Sequence, residues 1–221
     1  ENTKTIGTEI TIMSNIETEI KYLLGRESFH ALYQHLKQKG IKPRLTRQIN
    51  YYFSSSLDPS GNYLSSTRIR YARGKWELTC KISIFEDITD TVQNCYEYNA
   101  VISRDKAMDY IKNGLSSEEQ LKQFGSMYEN HGMTPADMYC FGCLRTARFA
   151  FNVTEDMPPL LLDLSRYLGV WDYELEWELK QVEKASELLR SMFNTLGITP
   201  SGSMMPKVKR FFDRLANMHT V

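Results

Sequence analysis

Trp171-Asp172-Tyr173-Glu174-Leu175-Glu176-Trp177-Glu178-Leu179 alternates charged and apolar side chains, and Ile16-Glu17-Thr18-Glu19-Ile20-Lys21 does the same. Successive side chains of a strand point to opposite faces, so Glu174, Glu176 and Glu178 share one face while Leu175, Trp177 and Leu179 share the other. Glu17, Glu19 and Lys21 likewise stand together, as do Arg68 and Arg70 against Ile69, and Thr79, Lys81 and Ser83 against Leu78 and Ile82. A half-buried antiparallel sheet with one solvent face usually alternates in this way. Segregation by sign argues otherwise here: like charges at i, i+2 repel unless a cation sits over them. Carboxylates from two strands, with Arg and Lys on others, are the parts that hold a divalent cation and phosphate together.

The flanking sequence supplies the other elements. Ile16 to Leu24 reads as a strand, and Glu27 to Lys39 as a helix with Phe29, Leu32, Tyr33 and Leu36 on one side and Gly40 at its end. Thr46 to Phe53, Leu64 to Ala72 and Trp76 to Ser83 are short β-rich runs separated by the turns Asp58-Pro59-Ser60-Gly61 and Arg73-Gly74. Cys95 to Ile102 follows as a strand, then two short helices to about Tyr128, with Ser117 and Gln120 in capping-box spacing. Strands return at Met138 to Phe151, Leu160 to Leu168 and Trp171 to Gln181. Two amphipathic helices close the chain, one ended by Gly197 and one from about Met205.

These elements predict an α+β fold, a closed antiparallel barrel of about eight strands with flanking helices. The helices need an apolar surface to cover, and the outer strand faces supply it. The lumen is then charged and becomes the site. Residues 1–13 read as a leader or disordered tail, with Met13 a candidate start, and 14–221 as a single domain.

Lys plus Arg and Asp plus Glu both number 27, so no net basic field gathers nucleic acid or anionic membrane. There is no apolar run of about eighteen residues and no signal-peptide pattern, which points to a cytoplasmic protein. Cys140 and Cys143 form a lone C-x-x-C in a strand-like run and, with Cys80 and Cys95, read as ordinary free thiols. The aromatic residues fall on helix and outer-strand core positions, which argues against a base-stacking surface. The four histidines do not cluster with carboxylates, and there is no Gly-rich P-loop.

Several stretches carry a resemblance: the E-x-E-x-K of Glu17-Thr18-Glu19-Ile20-Lys21; Asn50-Tyr51-Tyr52-Phe53; Ser66-Thr67-Arg68-Ile69-Arg70; Glu77-Leu78-Thr79-Cys80-Lys81; Glu97; Thr146-Ala147-Arg148; Leu162-Asp163; Tyr167-Leu168-Gly169; Asp172-Tyr173-Glu174-Leu175-Glu176; and Lys207-Val208-Lys209-Arg210-Phe211. In this order they resemble the CYTH, or triphosphate tunnel, family from about Ile16 to Leu215. The family includes thiamine triphosphatases, inorganic triphosphatases and class IV adenylate cyclases, and the final motif is similar to its bacterial, Gram-positive-type branch. Ser54 stands where many members have Asp, and Pro206 where they have Ser or Asn.

The resemblance implies a tunnel in which Glu17, Glu19, Glu174 and Glu176 face a bound Mg²⁺ or Mn²⁺. Asp163 and Glu97 complete the acidic side, and Glu178 lies nearer the mouth. Arg68, Arg70 and Arg148 suit bidentate phosphate contacts, and Lys81 and Lys207 point-charge contacts. Arg145 is a further candidate of opposite strand parity to Arg148, so only one of the two can point inward; the T-x-R spacing favours Arg148. Lys21 is implied to order or deprotonate the attacking water, beside Glu17 and Glu19. The expected activity is metal-dependent hydrolysis of tripolyphosphate or a small triphosphate ester such as thiamine triphosphate. The alternatives are ATP cyclisation to cyclic AMP and non-catalytic binding of polyphosphate or a nucleotide. Expected partners are a small triphosphate, neither nucleic acid nor membrane, in a monomer or homodimer.

Overall fold

In a computed structural model, described for residues 13–55, 65–84, 92–179, 182–200 and 205–219, the alternating stretches close on themselves. The strands are β1 (Met13–Leu24), β2 (Arg44–Ser54), β3 (Ser65–Ala72), β4 (Lys75–Ile84), β5 (Val92–Ile102), β6 (Tyr139–Phe151), β7 (Leu160–Tyr167) and β8 (Val170–Glu178). They form one closed barrel in the order β1-β5-β4-β3-β2-β6-β7-β8, antiparallel at every seam. The Asp58 to Gly61 turn, Gln181 and the expected leader up to residue 12 lie outside the described residues.

Five helices flank the barrel: α1 (Arg26–Gln38), α2 (Arg104–Asn113), α3 (Ser117–Asn130), α4 (Val182–Leu196) and α5 (Lys207–His219). Their apolar faces decide where they sit. Phe29, Leu32 and Leu36 of α1 and Ala185, Leu189, Met192 and Phe193 of α4 pack with Ile20, Leu162, Leu175 and Trp177, the outward side chains of β1, β7 and β8. Ala107 and Tyr110 of α2 and Phe124, Met127 and Tyr128 of α3 cover Ile69, Leu78, Cys80, Tyr98 and Ala100 from β3, β4 and β5. Burial of that apolar area is the main favourable term for the fold.

Helix α5 departs from the expected pattern. Its Val208, Phe211 and Phe212 pack on Tyr52, Leu144 and Tyr167, which share the inward parity of Asn50, Thr146 and Ser165. It therefore caps one end of the lumen rather than an outer face. The fit is close: a Cβ at Gly142, whose φ is +146, would lie 2.9 Å from Phe211 Cζ. The β2/β6 register shifts beside this glycine, at Tyr52/Phe53, which is the mark of a bulge.

The α3 cap also differs by one residue. Ser116 rather than Ser117 is the N-cap, accepting from the Glu119 backbone N–H. The Gln120 side chain instead turns inward, donates to Ala136 O and accepts from the Tyr128 hydroxyl. No helix among the described residues is long and apolar enough to cross a membrane.

Candidate active site

Because alternation places one residue in two on the inside, the motif side chains of six strands meet in one cavity of about 940 Å³ including its mouth. Glu17, Glu19 and Lys21 enter from β1, Arg68 and Arg70 from β3, Lys81 from β4, Glu97 from β5, Arg148 from β6, and Glu176 and Glu178 from β8. Lys207 reaches in from the first turn of α5. Neutral hydrogen-bonding groups fill the gaps, among them Gln48, Asn50, Ser66 and Thr146.

The charges are tied into linked groups. Lys21 Nζ lies 2.8 Å from Glu19 Oε1 and 3.5 Å from Glu176 Oε1. Lys81 Nζ bridges Glu17 at 2.6 Å and Glu97 at 2.5 Å. Arg148 grips Asp163 with two donors, at 2.8 and 2.7 Å, and also donates to Glu176. Lys207 touches Asp163 at 2.5 Å, Glu176 at 2.9 Å and Glu174 at 3.1 Å. Burial opposes the Lys21 charge, yet Glu19, Glu176 and Glu174 outweigh it and the Lys21 pKa is raised. Lys207 is raised by Asp163, Glu174 and Glu176 against the same burial. Conversely, Lys207, Lys21 and Arg148 hold Glu176 well below the usual carboxylate range despite burial. Lys81 and Arg68 do the same for Glu97.

Two regions stay unbalanced. On β3, burial together with the neighbouring Arg68 and Arg148 pushes the Arg70 pKa down. Its Nε donates to neutral Asn50 Oδ1 at 2.9 Å. Arg68 lies 3.8 Å from Glu97, and its Nε is buried without a hydrogen-bond partner among the described residues. A buried guanidinium donor left idle is costly, so this corner is built for an anion. At the acidic corner, burial plus repulsion from Glu97 and Glu19 raises Glu17 in spite of Lys81. Burial and then Glu17 and Glu19 raise Glu178. That corner is short of positive charge.

Three expected placements need correction. Arg145 is exposed on the outer face, with parity opposite to the inward Thr146 and Arg148, so it is excluded from the lumen. Asp163 and Glu174 are fully buried in the wall, covered by Arg148, Lys207 and Arg210, and do not line the cavity. Glu178 lines the cavity from the last position of β8.

The Lys207-Val208-Lys209-Arg210-Phe211 stretch supplies one further cation, Arg210. It ties Asp172 at 2.8 Å and Glu174 at 2.8 Å. Its spacing of three from Lys207 puts both cations on one side of α5, and that was the available signal. Cys95 also lines the cavity, 3.8 Å from Glu17 Oε2. Cys80, Cys95, Cys140 and Cys143 are free thiols, as expected.

A closed eight-stranded barrel, apolar outside and ionised within, defines a class of protein that receives a charged ligand in its lumen rather than on loops. The CYTH domain model matches residues 15–211, and the chain belongs to that family. A Bacillus subtilis (strain 168) protein named "Putative triphosphatase YjbK" is 25% identical over 198 residues, covering 90% of this chain and 95% of its own length. Two solved structures share the fold. The first is "Putative adenylyl cyclase HpAC1 from Hippeastrum reveals a dominant triphophatase activity", with a TM-score of 0.73, 22% identity, and coverage of 89% of this chain and 95% of that one. The second, a Bacillus halodurans protein described as a "putative adenylate cyclase", has a TM-score of 0.65 and 24% identity, covering 90% and 98%.

Proposed function

We propose that this protein is a divalent-metal-dependent triphosphatase acting on inorganic tripolyphosphate or a small triphosphate ester. The carrying observation is the charge imbalance inside one cavity: Arg68 and Arg70 lack full counter-charge on one wall, while Glu17, Glu19 and Glu178 repel one another on another. A metal–triphosphate complex answers both, since its phosphates carry about four to five negative charges and its cation satisfies carboxylates.

Among the described residues no three His, Cys, Asp or Glu side chains already gather around one point. The donor set nonetheless suits a hard cation: Glu17 and Glu19 on β1 and Glu176 and Glu178 on the adjacent β8 are oxygen ligands lining the same cavity, with Glu19 directly opposite Glu178. These residues would hold Mg²⁺ or Mn²⁺, which supplies charge neutralisation of the phosphoryl oxygens and acidifies bound water. Arg68, Arg70 and Arg148 orient the phosphates, Lys81 adds a point charge, and Lys21, held between Glu19 and Glu176, orders the attacking water. Lys207 and Asp163 keep Arg148 and Glu176 in register. The names of the Bacillus subtilis and Hippeastrum proteins support this reading. We further propose a cytoplasmic protein, monomeric or homodimeric.

The test is phosphate release from tripolyphosphate with Mg²⁺ or Mn²⁺, compared with metal-free buffer and with Glu19→Gln. Release that needs metal and is lost in the variant is expected. Cyclic AMP from ATP with little phosphate release would replace the hydrolase by a cyclase, and binding without turnover would make the barrel a receptor.

A further inference from the structure

Among the described cations that line the lumen, Arg70 stands alone in having no carboxylate within ion-pair distance. Lys21, Lys81, Arg148 and Lys207 are each held by two or more, and Arg68 has Glu97 at 3.8 Å. What Arg70 has instead is Asn50, directly opposite it across the β2/β3 seam, whose Oδ1 accepts from Nε at 2.9 Å. A guanidinium offers donors only, so the oxygen of that amide must be the atom that faces it. Asn50 is buried, and Nε is the one side-chain nitrogen of Arg70 with a hydrogen-bond partner among the described residues.

The lack of counter-charge belongs to the whole strand. β2 contains no Asp or Glu, and Gln48, Asn50 and Tyr52 are the residues it turns into the cavity. It therefore sets an uncharged wall between Arg70 on β3 and Arg148 on β6, its neighbours on either side. Burial, then Arg68 and Arg148, lower the Arg70 pKa to about 10. For stability alone asparagine is a poor choice there. Aspartate has nearly the same shape and would meet the buried guanidinium with a full negative charge, which an amide dipole offsets only in part.

We infer that Asn50 is a positioning residue for the substrate: it fixes the Arg70 guanidinium through Nε and, being neutral, leaves the charge of the terminal nitrogens for a substrate phosphate. A carboxylate at 50 would occupy Arg70 and repel the incoming anion. A methyl group would leave the charge but release its direction. That the anion is a triphosphate rests on the triphosphatase reading, whereas the role of the amide does not.

Two variants of the full chain, Asn50→Asp and Asn50→Ala, separate charge from orientation, with tripolyphosphate as the probe. In metal-free buffer Asn50→Asp is expected to raise Tm by about 2 °C or more. Calorimetry in the same buffer should show its tripolyphosphate binding weakened at least about tenfold, and KM with Mg²⁺ raised in step. Asn50→Ala should keep KM within about threefold and lose at least about tenfold in kcat, because the attracting charge stays while its aim is lost. An Asn50→Asp protein no more stable than the parent, or one that binds tripolyphosphate as tightly, overturns the inference. So does an Asn50→Ala protein with unchanged kcat. A parent that binds tripolyphosphate without hydrolysing it refutes the triphosphatase reading alone, and the stability and calorimetric arms then decide the role of Asn50. A parent that does not bind tripolyphosphate overturns both.

Discussion

Replacing Arg210 with Met probes the joint between α5 and the barrel without removing the packing of the side-chain stem. Glu174 is fully buried and is met by Arg210 at 2.8 Å and Lys207 at 3.1 Å, while Arg210 also holds Asp172. Removing one partner of a buried ion pair leaves its charge uncompensated and costs about 3–5 kcal/mol. Lys207 remains on Glu174 and Asp172 keeps some access to water, so the lower end applies, about 3 kcal/mol. For a domain of this size that is a fall in Tm of about 6–12 °C. The assay is urea and thermal unfolding in metal-free buffer, followed by near-UV circular dichroism. Adding Glu174→Gln to Arg210→Met removes the stranded charge and should recover at least about half of the loss. A single-variant cost below about 1 kcal/mol, or no recovery in the double variant, would show that Arg210 does not hold α5 to Glu174.

Three other outcomes are expected. Gly142→Ala should destabilise by about 1–3 kcal/mol, because φ is +146 and the new methyl meets fully buried Phe211 at 2.9 Å; equal urea midpoints for variant and parent would contradict the contact. Without metal, stability should pass through a shallow maximum on the acid side of neutrality. Glu17 and Glu178, raised mainly by burial, lose their mutual repulsion as they protonate; below the unfolded values, about 4.5 for Glu97 and Glu176 and about 3.8 for Asp163, these three groups with their lowered pKa make acid destabilising. Urea midpoints measured across that range with EDTA would expose the error if they fell steadily from neutral pH. Finally, kcat/KM for tripolyphosphate should exceed that for pyrophosphate or p-nitrophenyl phosphate by at least about a hundredfold, or about 2.7 kcal/mol, since shorter anions leave Arg68, Arg70 or Arg148 uncompensated. Equal values for tripolyphosphate and the monoester would mean that the site reads a single phosphate.

By itself the sequence determined the strands, the faces they bury and most of the lumen. Glu17, Glu19, Lys21, Arg68, Arg70, Lys81 and Glu176 were legible because strand parity is a local, two-residue property, and segregation of charge by sign marked the inward face. Parity could also say that Arg145 and Arg148 exclude each other, although not which one faces in. The T-x-R resemblance favours Arg148, and closure of the barrel puts Thr146 and Arg148 inside. Where α5 docks was equally hidden. Its apolar stripe is the same whether it covers an outer wall or an end, and the choice depends on Tyr52, Leu144 and Tyr167 meeting there from strands far apart in the chain. That docking brings Lys207 onto Asp163 and Glu174, and Arg210 onto Glu174 and Asp172. Helical and strand periodicities are written along the chain, whereas which charges neutralise one another depends on distances across the barrel that exist only once it has closed.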